Sequence, residues 1–249
     1  MEGTNYGTYE MRLFEKILYI LAATLFFVFI AYVFFRSFFL GVLFSPLALL
    51  YPKRRTVQII EKRKNELNLQ FKDMLYALSS SLSAGSSIEY AFMKLPSDLS
   101  ILYPGKDSFI MKEAKLVSAK LDMNETIESV LEDFAERAHI EDIENFSEVF
   151  STCKRTGGNL VEVMKNTSNI INDRIEIREE MRTMLAEKRF EQKVLNIMPL
   201  FLVIILSVSS PEYMEPVFTT VLGRIAMFFS VLLFGAAYLI SQKISKIEV

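Results

Sequence analysis

The chain holds few residues with which to do covalent chemistry. His139 is its single histidine and Cys153 its single cysteine. A catalytic triad, a histidine-ligated metal or a cysteine cluster needs partners that these two lack. His139 reads as a solvated or capping residue between helices. Cys153 falls on an apolar helical face, where a free thiol packs as a small hydrophobe. No glycine-rich loop ends in Lys-Ser or Lys-Thr, so any nucleotide hydrolysis belongs to a partner. No residue emerges as catalytic, as a metal ligand or as a cofactor contact, and the chain reads as a non-enzyme.

What remains is charge. Glu128, Glu132, Asp133, Glu136, Glu141, Asp142, Glu144 and Glu148 form a dense acidic stretch. Arg174, Arg178, Arg182 and Arg189 fall on one stripe of a long helical pattern at the 3.6-residue repeat. Like charges four residues apart cost a few tenths of a kcal/mol per pair, so something must offset them. One account is mutual neutralisation, the acids facing the arginines. The other is docking, with Arg174, Arg178, Arg182 and Arg189, or Glu132, Asp133 and Glu136, meeting another protein. The net charge of −2 argues against a nucleic-acid partner.

The elements that position these charges are helices between two apolar ends. Half the residues are apolar, with 21 Phe and no Trp. Residues 17–51 are interrupted only by Arg36. At about 1.5 Å per residue this run exceeds roughly 50 Å, too long for one upright span of a core about 30 Å thick. A hairpin turning near Arg36 and Ser37 fits, its second arm loosened by Gly41 and Pro46. Two more runs cover 194–210 and 218–240, joined by a short acidic loop, Pro211-Glu-Tyr-Met-Glu-Pro216. Basic residues crowd the opposite ends, at Lys53, Arg54, Arg55, Lys62, Arg63, Lys64, Lys188, Arg189, Lys193, Lys243 and Lys246. The positive-inside rule then places the middle block and the C-terminal residues in the cytosol. The expected organisation is an N-terminal tail (1–16), a membrane hairpin (17–52), a cytosolic helical domain (53–193), a second membrane hairpin (194–240) and a cytosolic tail (241–249). Arg36 and Arg224 read as snorkelling anchors near the outer interface.

Within the block, apolar residues recur at three- and four-residue steps, the mark of amphipathic helices. Leu67, Phe71, Met74, Leu75, Leu78 and Leu82 make one stripe, broken at Gly85. Ser86 with Glu89 has the spacing of a capping box that restarts a helix, and Pro96 and a turn at Tyr103-Pro-Gly105 end that helical hairpin. A helix near 109–121 follows. Asn124 can cap another carrying Ile127, Val130, Leu131 and Phe134, and Ile140, Ile143, Phe146, Phe150 and Cys153 stripe the one after. Thr156-Gly157-Gly158-Asn159-Leu160 allows a left-handed turn, with Asn159 and Glu162 spaced as a capping box. The helix from Leu160 is predicted to run into the third apolar run. The fold class is all-α: a cytosolic bundle with about four transmembrane helices.

The order of these features resembles a known family. Gln70-Phe-Lys-Asp73-Met-Leu75 precedes Leu82-Ser-Ala-Gly85-Ser-Ser-Ile88 with Ala91; Thr156-Gly-Gly-Asn-Leu160 follows, then Pro199, Pro211, Tyr213 and Gly223. This resembles the type II secretion system F-domain superfamily, in particular its TadB/TadC-like tight-adherence (Flp pilus) platform proteins. Lys72 stands where many relatives have Pro, and Met74 where they have a small residue. Asp73, Leu75, Gly85, Gly157, Gly158, Asn159, Pro199 and Pro211 are the motif residues the resemblance carries over. It implies an inner-membrane platform protein of a type IV pilus or type II secretion machine. In that role it couples a cytosolic hexameric ATPase to pilin extraction and filament assembly. A second F-domain subunit, or a second copy, is implied because only one helical domain is present; pilin subunits and the lipid bilayer complete the partners. The alternative is a transporter or channel subunit with a cytosolic helical domain. Against it, the polar content lies in the cytosolic block rather than at mid-membrane.

Overall fold

The computed structural model describes residues 3–9, 11–36, 38, 39, 46, 48, 51–104 and 108–245, with 54 and 242–245 described by backbone alone. The fold is all-α, and no strand occurs among the described residues. In chain order the helices are α1 (Leu13–Phe35), α2 (Tyr51–Ser83), α3 (Ile88–Leu102), α4 (Phe109–Asp122), α5 (Ile127–Ala138), α6 (Glu141–Thr156), α7 (Leu160–Ser209), α8 (Pro211–Thr219) and α9 (Val221–Ser245). The chain forms two compact units, one from residues 1–10 and 56–177, the other from 11–55 and 178–249.

The first unit is built on the apolar stripe of α2. Leu67, Phe71, Met74, Leu75 and Leu78 are all fully buried. Phe71 meets Phe134 and Phe146 edge-on, at 6.0 and 5.4 Å between ring centres, and Phe92 meets Phe150 at 5.9 Å. Burying each such side chain contributes about 1.5–3 kcal/mol. Polar residues of the same helix tie it to its neighbours. The Gln70 Oε1 accepts from the Ile110 N–H at 3.0 Å, satisfying a donor at the start of α4 that has no partner within its own helix. Ser168 Oγ donates to the Lys72 carbonyl at 3.3 Å, which joins α7 to α2.

The turns settle several helix ends differently from the sequence reading. After α2, Gly85 takes φ 88°. The Ser86 N–H then reaches back to the Ser81 carbonyl at 3.2 Å, closing a left-handed helix stop. That bond commits Ser86 to the outgoing turn. Helix α3 starts at Ile88 and its cap is Ser87, whose Oγ accepts from the Tyr90 N–H at 3.3 Å. Asn124 likewise does not cap α5. It sits at φ 63°, a conformation Asn tolerates, and Thr126 Oγ1 accepts from the Ser129 N–H instead. Pro96 lies inside α3 rather than ending it. His139, at φ 50°, terminates α5 as the sequence suggested.

The second unit contains α1, residues 178–209 of α7, α8 and α9. Phe34, Met214 and Met227 form its buried centre, while most of its other large apolar side chains are exposed, as suits a lipid environment. Among the described residues three helices are long and apolar enough to cross a membrane: α1, α7 and α9. The helix from Leu160 is continuous for 50 residues through Pro199, so the polar helix does run into the third apolar run. The expected second arm of the N-terminal hairpin, with its turn at Ser37 and its Gly41, falls outside the described residues apart from a few positions. The segment expected as a loop between the last two spans is instead a helix, α8. Pro211 occupies its first turn, where the missing N–H costs nothing. Arg36 and Arg224 converge on one residue: the Arg36 guanidinium lies 5.4 Å from the Phe218 ring centre, and the Arg224 Nε donates to the Phe218 carbonyl at 2.9 Å.

Candidate docking surface

Glu128, Glu132 and Glu136 are spaced by four on α5 and so share one face; Glu144 and Glu148 do the same on α6. The structure brings the two rows together along an open groove of about 1170 Å³, which Asn5, Arg137, His139 and Ser147 also line. Glu128 is the one of the five with a described counterion, the Lys154 ammonium at 2.9 Å. Burial alone would raise its pKa, but the Lys154 hydrogen bond and charge outweigh that and hold the carboxyl below its ordinary value. Among the described residues, Glu132, Glu136, Glu144 and Glu148 make no ion pair. Four carboxylates on adjacent helices then repel one another at roughly a few tenths of a kcal/mol per four-residue pair. A basic surface laid into the groove removes that repulsion.

Asp133 belongs to a different environment. It accepts from Lys120 at 2.9 Å and from Arg137 Nε at 3.0 Å. Burial opposes its ionisation, yet these two cations win and lower its pKa. Asp133 therefore braces α4 against α5, while Glu132 and Glu136, which share a face on one side of Asp133, line the groove.

The arginine stripe is divided in its contacts. Arg174 donates to Asp142 Oδ1 at 2.5 Å, and the other oxygen of Asp142 takes the Asn68 amide at 2.7 Å. This pairs one arginine of the stripe with the acidic stretch, as the neutralisation account has it. Arg182 pairs with Glu179 one helical turn away, a surface contact of small energetic weight. Arg178 is also engaged, and Arg189 is exposed.

The motif residues sit at joints of the fold. Asp73 accepts from the Tyr103 hydroxyl at 2.5 Å, closing the end of α3 onto α2; burial and the neighbouring carboxylate raise the Tyr103 pKa well above the ordinary phenol. Leu75 lies in the core. Gly157 adopts φ 72° at the end of α6, and the Gly158 N–H returns to the Cys153 carbonyl at 2.8 Å. A Cβ at Gly158 would stand 2.6 Å from Cys153 Sγ, so this position is glycine for space rather than for φ. Asn159 Oδ1 accepts from the Glu162 N–H at 3.3 Å and caps α7. Pro199 lies within α7 and Pro211 starts α8.

One cluster escaped the sequence reading. Glu113 is 2% exposed and grips Arg137 through two parallel bonds of 2.9 and 2.7 Å, while the Tyr6 hydroxyl donates to the same carboxylate at 2.9 Å. Burial, reinforced by Glu113, pushes the Tyr6 pKa far above the ordinary phenol. The one available signal was the pair of glycines flanking Tyr6, Gly3 and Gly7. Among the described residues no group of three or more His, Cys, Asp or Glu is placed to hold a metal.

Residues 74–208 match a protein family described as type II secretion system (T2SS), protein F. No curated protein matches the chain, and no solved structure does.

Proposed function

Because this chain belongs to the protein F family of type II secretion systems, we propose that it is a platform subunit of a type IV pilus or type II secretion machine. The kind it fits is the TadB/TadC-like tight-adherence platform. In this reading the helical unit lies in the cytosol, since basic residues flank it on both sides. It docks the machine's hexameric ATPase and passes the motion of that engine to pilin subunits in the membrane. The supporting observation is the acidic groove between α5 and α6. Its carboxylates Glu132, Glu136, Glu144 and Glu148 lack described counterions although the fold neutralises their neighbours Glu128, Asp133 and Asp142. A groove left charged beside sites that are paired fits a basic partner surface. Helix α7 runs on from this unit into an apolar span, so the block and the membrane segment share one helix. A second copy or a second F-domain subunit completes the platform.

The test is charge reversal in the groove. Glu132→Lys, Glu136→Lys and Glu144→Lys together are expected to abolish co-purification of the hexameric ATPase from detergent-solubilised membranes, with the protein's abundance and helical content unchanged. Undiminished co-purification from a normally folded triple variant defeats the docking assignment.

A further inference from the structure

The segment before the first membrane helix is not a free tail. Tyr6 is 2% exposed, its ring meets Phe109 edge-on at 5.7 Å, and its hydroxyl donates to the buried Glu113. The backbone joins in: the Tyr6 N–H donates to the Arg137 carbonyl at 2.9 Å, and Arg137 Nη1 donates to the Thr4 carbonyl at 3.3 Å. A little further on, the Tyr9 ring carries the Arg63 guanidinium at 4.3 Å. Both glycines are needed for the approach. A Cβ on Gly3 would meet the Arg137 guanidinium at 2.3 Å, and one on Gly7 the His139 ring at 2.3 Å. A buried ring, a satisfied buried hydroxyl and main-chain bonds make this a built seat, with the desolvated Glu113–Arg137 pair depending on it for full satisfaction.

From this seat we infer that residues 3–9 are a strap belonging to the same side of the membrane as the helical block, so that the chain between them crosses the membrane an even number of times. Residues 3–9 and 56–177 fold together, and a folded unit cannot be divided by a bilayer. Helix α1 has 23 residues, apolar beyond Glu15 and Lys16 in its first turn, and at about 1.5 Å per residue is long enough to cross a core about 30 Å thick. One crossing outward obliges one return before Thr56. This parity is independent of the basic-residue count and of any docking partner.

Two measurements on the full-length protein test the inference. The first uses single cysteines in a Cys153→Ser background, with a membrane-impermeant maleimide on intact and permeabilised cells. Thr8→Cys and Lys115→Cys are expected to label with the same sidedness, and Phe39→Cys with the opposite one. Opposite labelling of positions 8 and 115 overturns the strap and the parity. Shared labelling of both from outside leaves the inference standing and overturns the cytosolic orientation under the proposed function. The second is hydrogen exchange on the detergent-solubilised protein. The Tyr6 amide is expected to be protected and to exchange faster by about tenfold or more in Gly7→Ala, the effect of roughly one lost net hydrogen bond. His139→Gly, which removes the ring and suits φ 50°, restores protection in the Gly7→Ala chain. A Tyr6 amide unprotected in the wild-type protein refutes the seat.

Discussion

Asp142 and Arg174, 32 residues apart in the chain, meet at 2.5 Å and fasten α6 to α7. Asp142 is buried and also takes the Asn68 amide from α2, so one carboxylate serves three helices. Arg174→Ala strips a charge partner from a desolvated carboxylate. Because the Arg174 side chain is half exposed, the expected cost is about 1 kcal/mol rather than the larger value of a fully buried pair. Asp142→Asn in the same chain removes the stranded charge, so the double variant is expected to be more stable than Arg174→Ala alone. Thermal unfolding of the solubilised protein measures both. A double variant that is less stable shows that the charge of Asp142 is held by something other than Arg174.

Gly157 and Gly158 are adjacent but answer to different physics. Gly157→Ala places a Cβ at φ 72° and is expected to cost about 1–2 kcal/mol through backbone strain. Gly158→Ala drives a methyl toward Cys153 Sγ and is expected to cost about 1–3 kcal/mol through overpacking. Cys153→Ala relieves the second and leaves the first unchanged, which unfolding midpoints of each glycine variant with and without Cys153→Ala, of Cys153→Ala alone and of the parent decide.

Alkali is expected to loosen the first unit through Tyr6 and Tyr103. Both have raised pKa values in the folded protein. The stability they carry is therefore complete below the ordinary phenol value of about 10, and is lost as pH climbs above it, because the unfolded chain releases its protons first. Each pH unit above that value removes up to about 1.4 kcal/mol for a buried group such as Tyr6, and less for the more exposed Tyr103. Unfolding midpoints at about pH 8 and about pH 11 are expected to diverge in the parent and to converge in Tyr6→Phe/Tyr103→Phe. Equal divergence in both proteins assigns the alkaline loss to other groups.

Acid acts with the opposite sign. Glu128 and Asp133 have lowered pKa values in the fold, so their contribution is present above the ordinary carboxylate value of about 4 and is lost as pH falls below it. The brace between α4 and α5 is expected to weaken first, since Asp133 holds both Lys120 and Arg137. Asp133→Asn is expected to be less stable at neutral pH and flatter in its acid dependence. A parallel acid profile in the variant refutes the assignment.

Periodicity alone determined the helices of the block, their apolar faces and the long helix that enters the membrane, because side chains three and four residues apart must share a face and the burial of that face dominates the energy. The same logic located the two glycines at the end of α6 and the cap at Asn159, which are local events within five residues. Tertiary structure decided what local spacing cannot express. Asp133 and Glu132 are neighbours in sequence with the same charge, yet one is clamped between Lys120 and Arg137 while the other faces an open groove, since only packing says which cations arrive. Ser87 rather than Ser86 caps α3, because the backbone of Ser86 still belongs to the turn that closes α2 and α3 starts only at Ile88. The seat of Tyr6 on Glu113, more than a hundred residues away, left no periodic trace at all. A polar contact of that kind has no repeat in the chain and exists only once the helices have met.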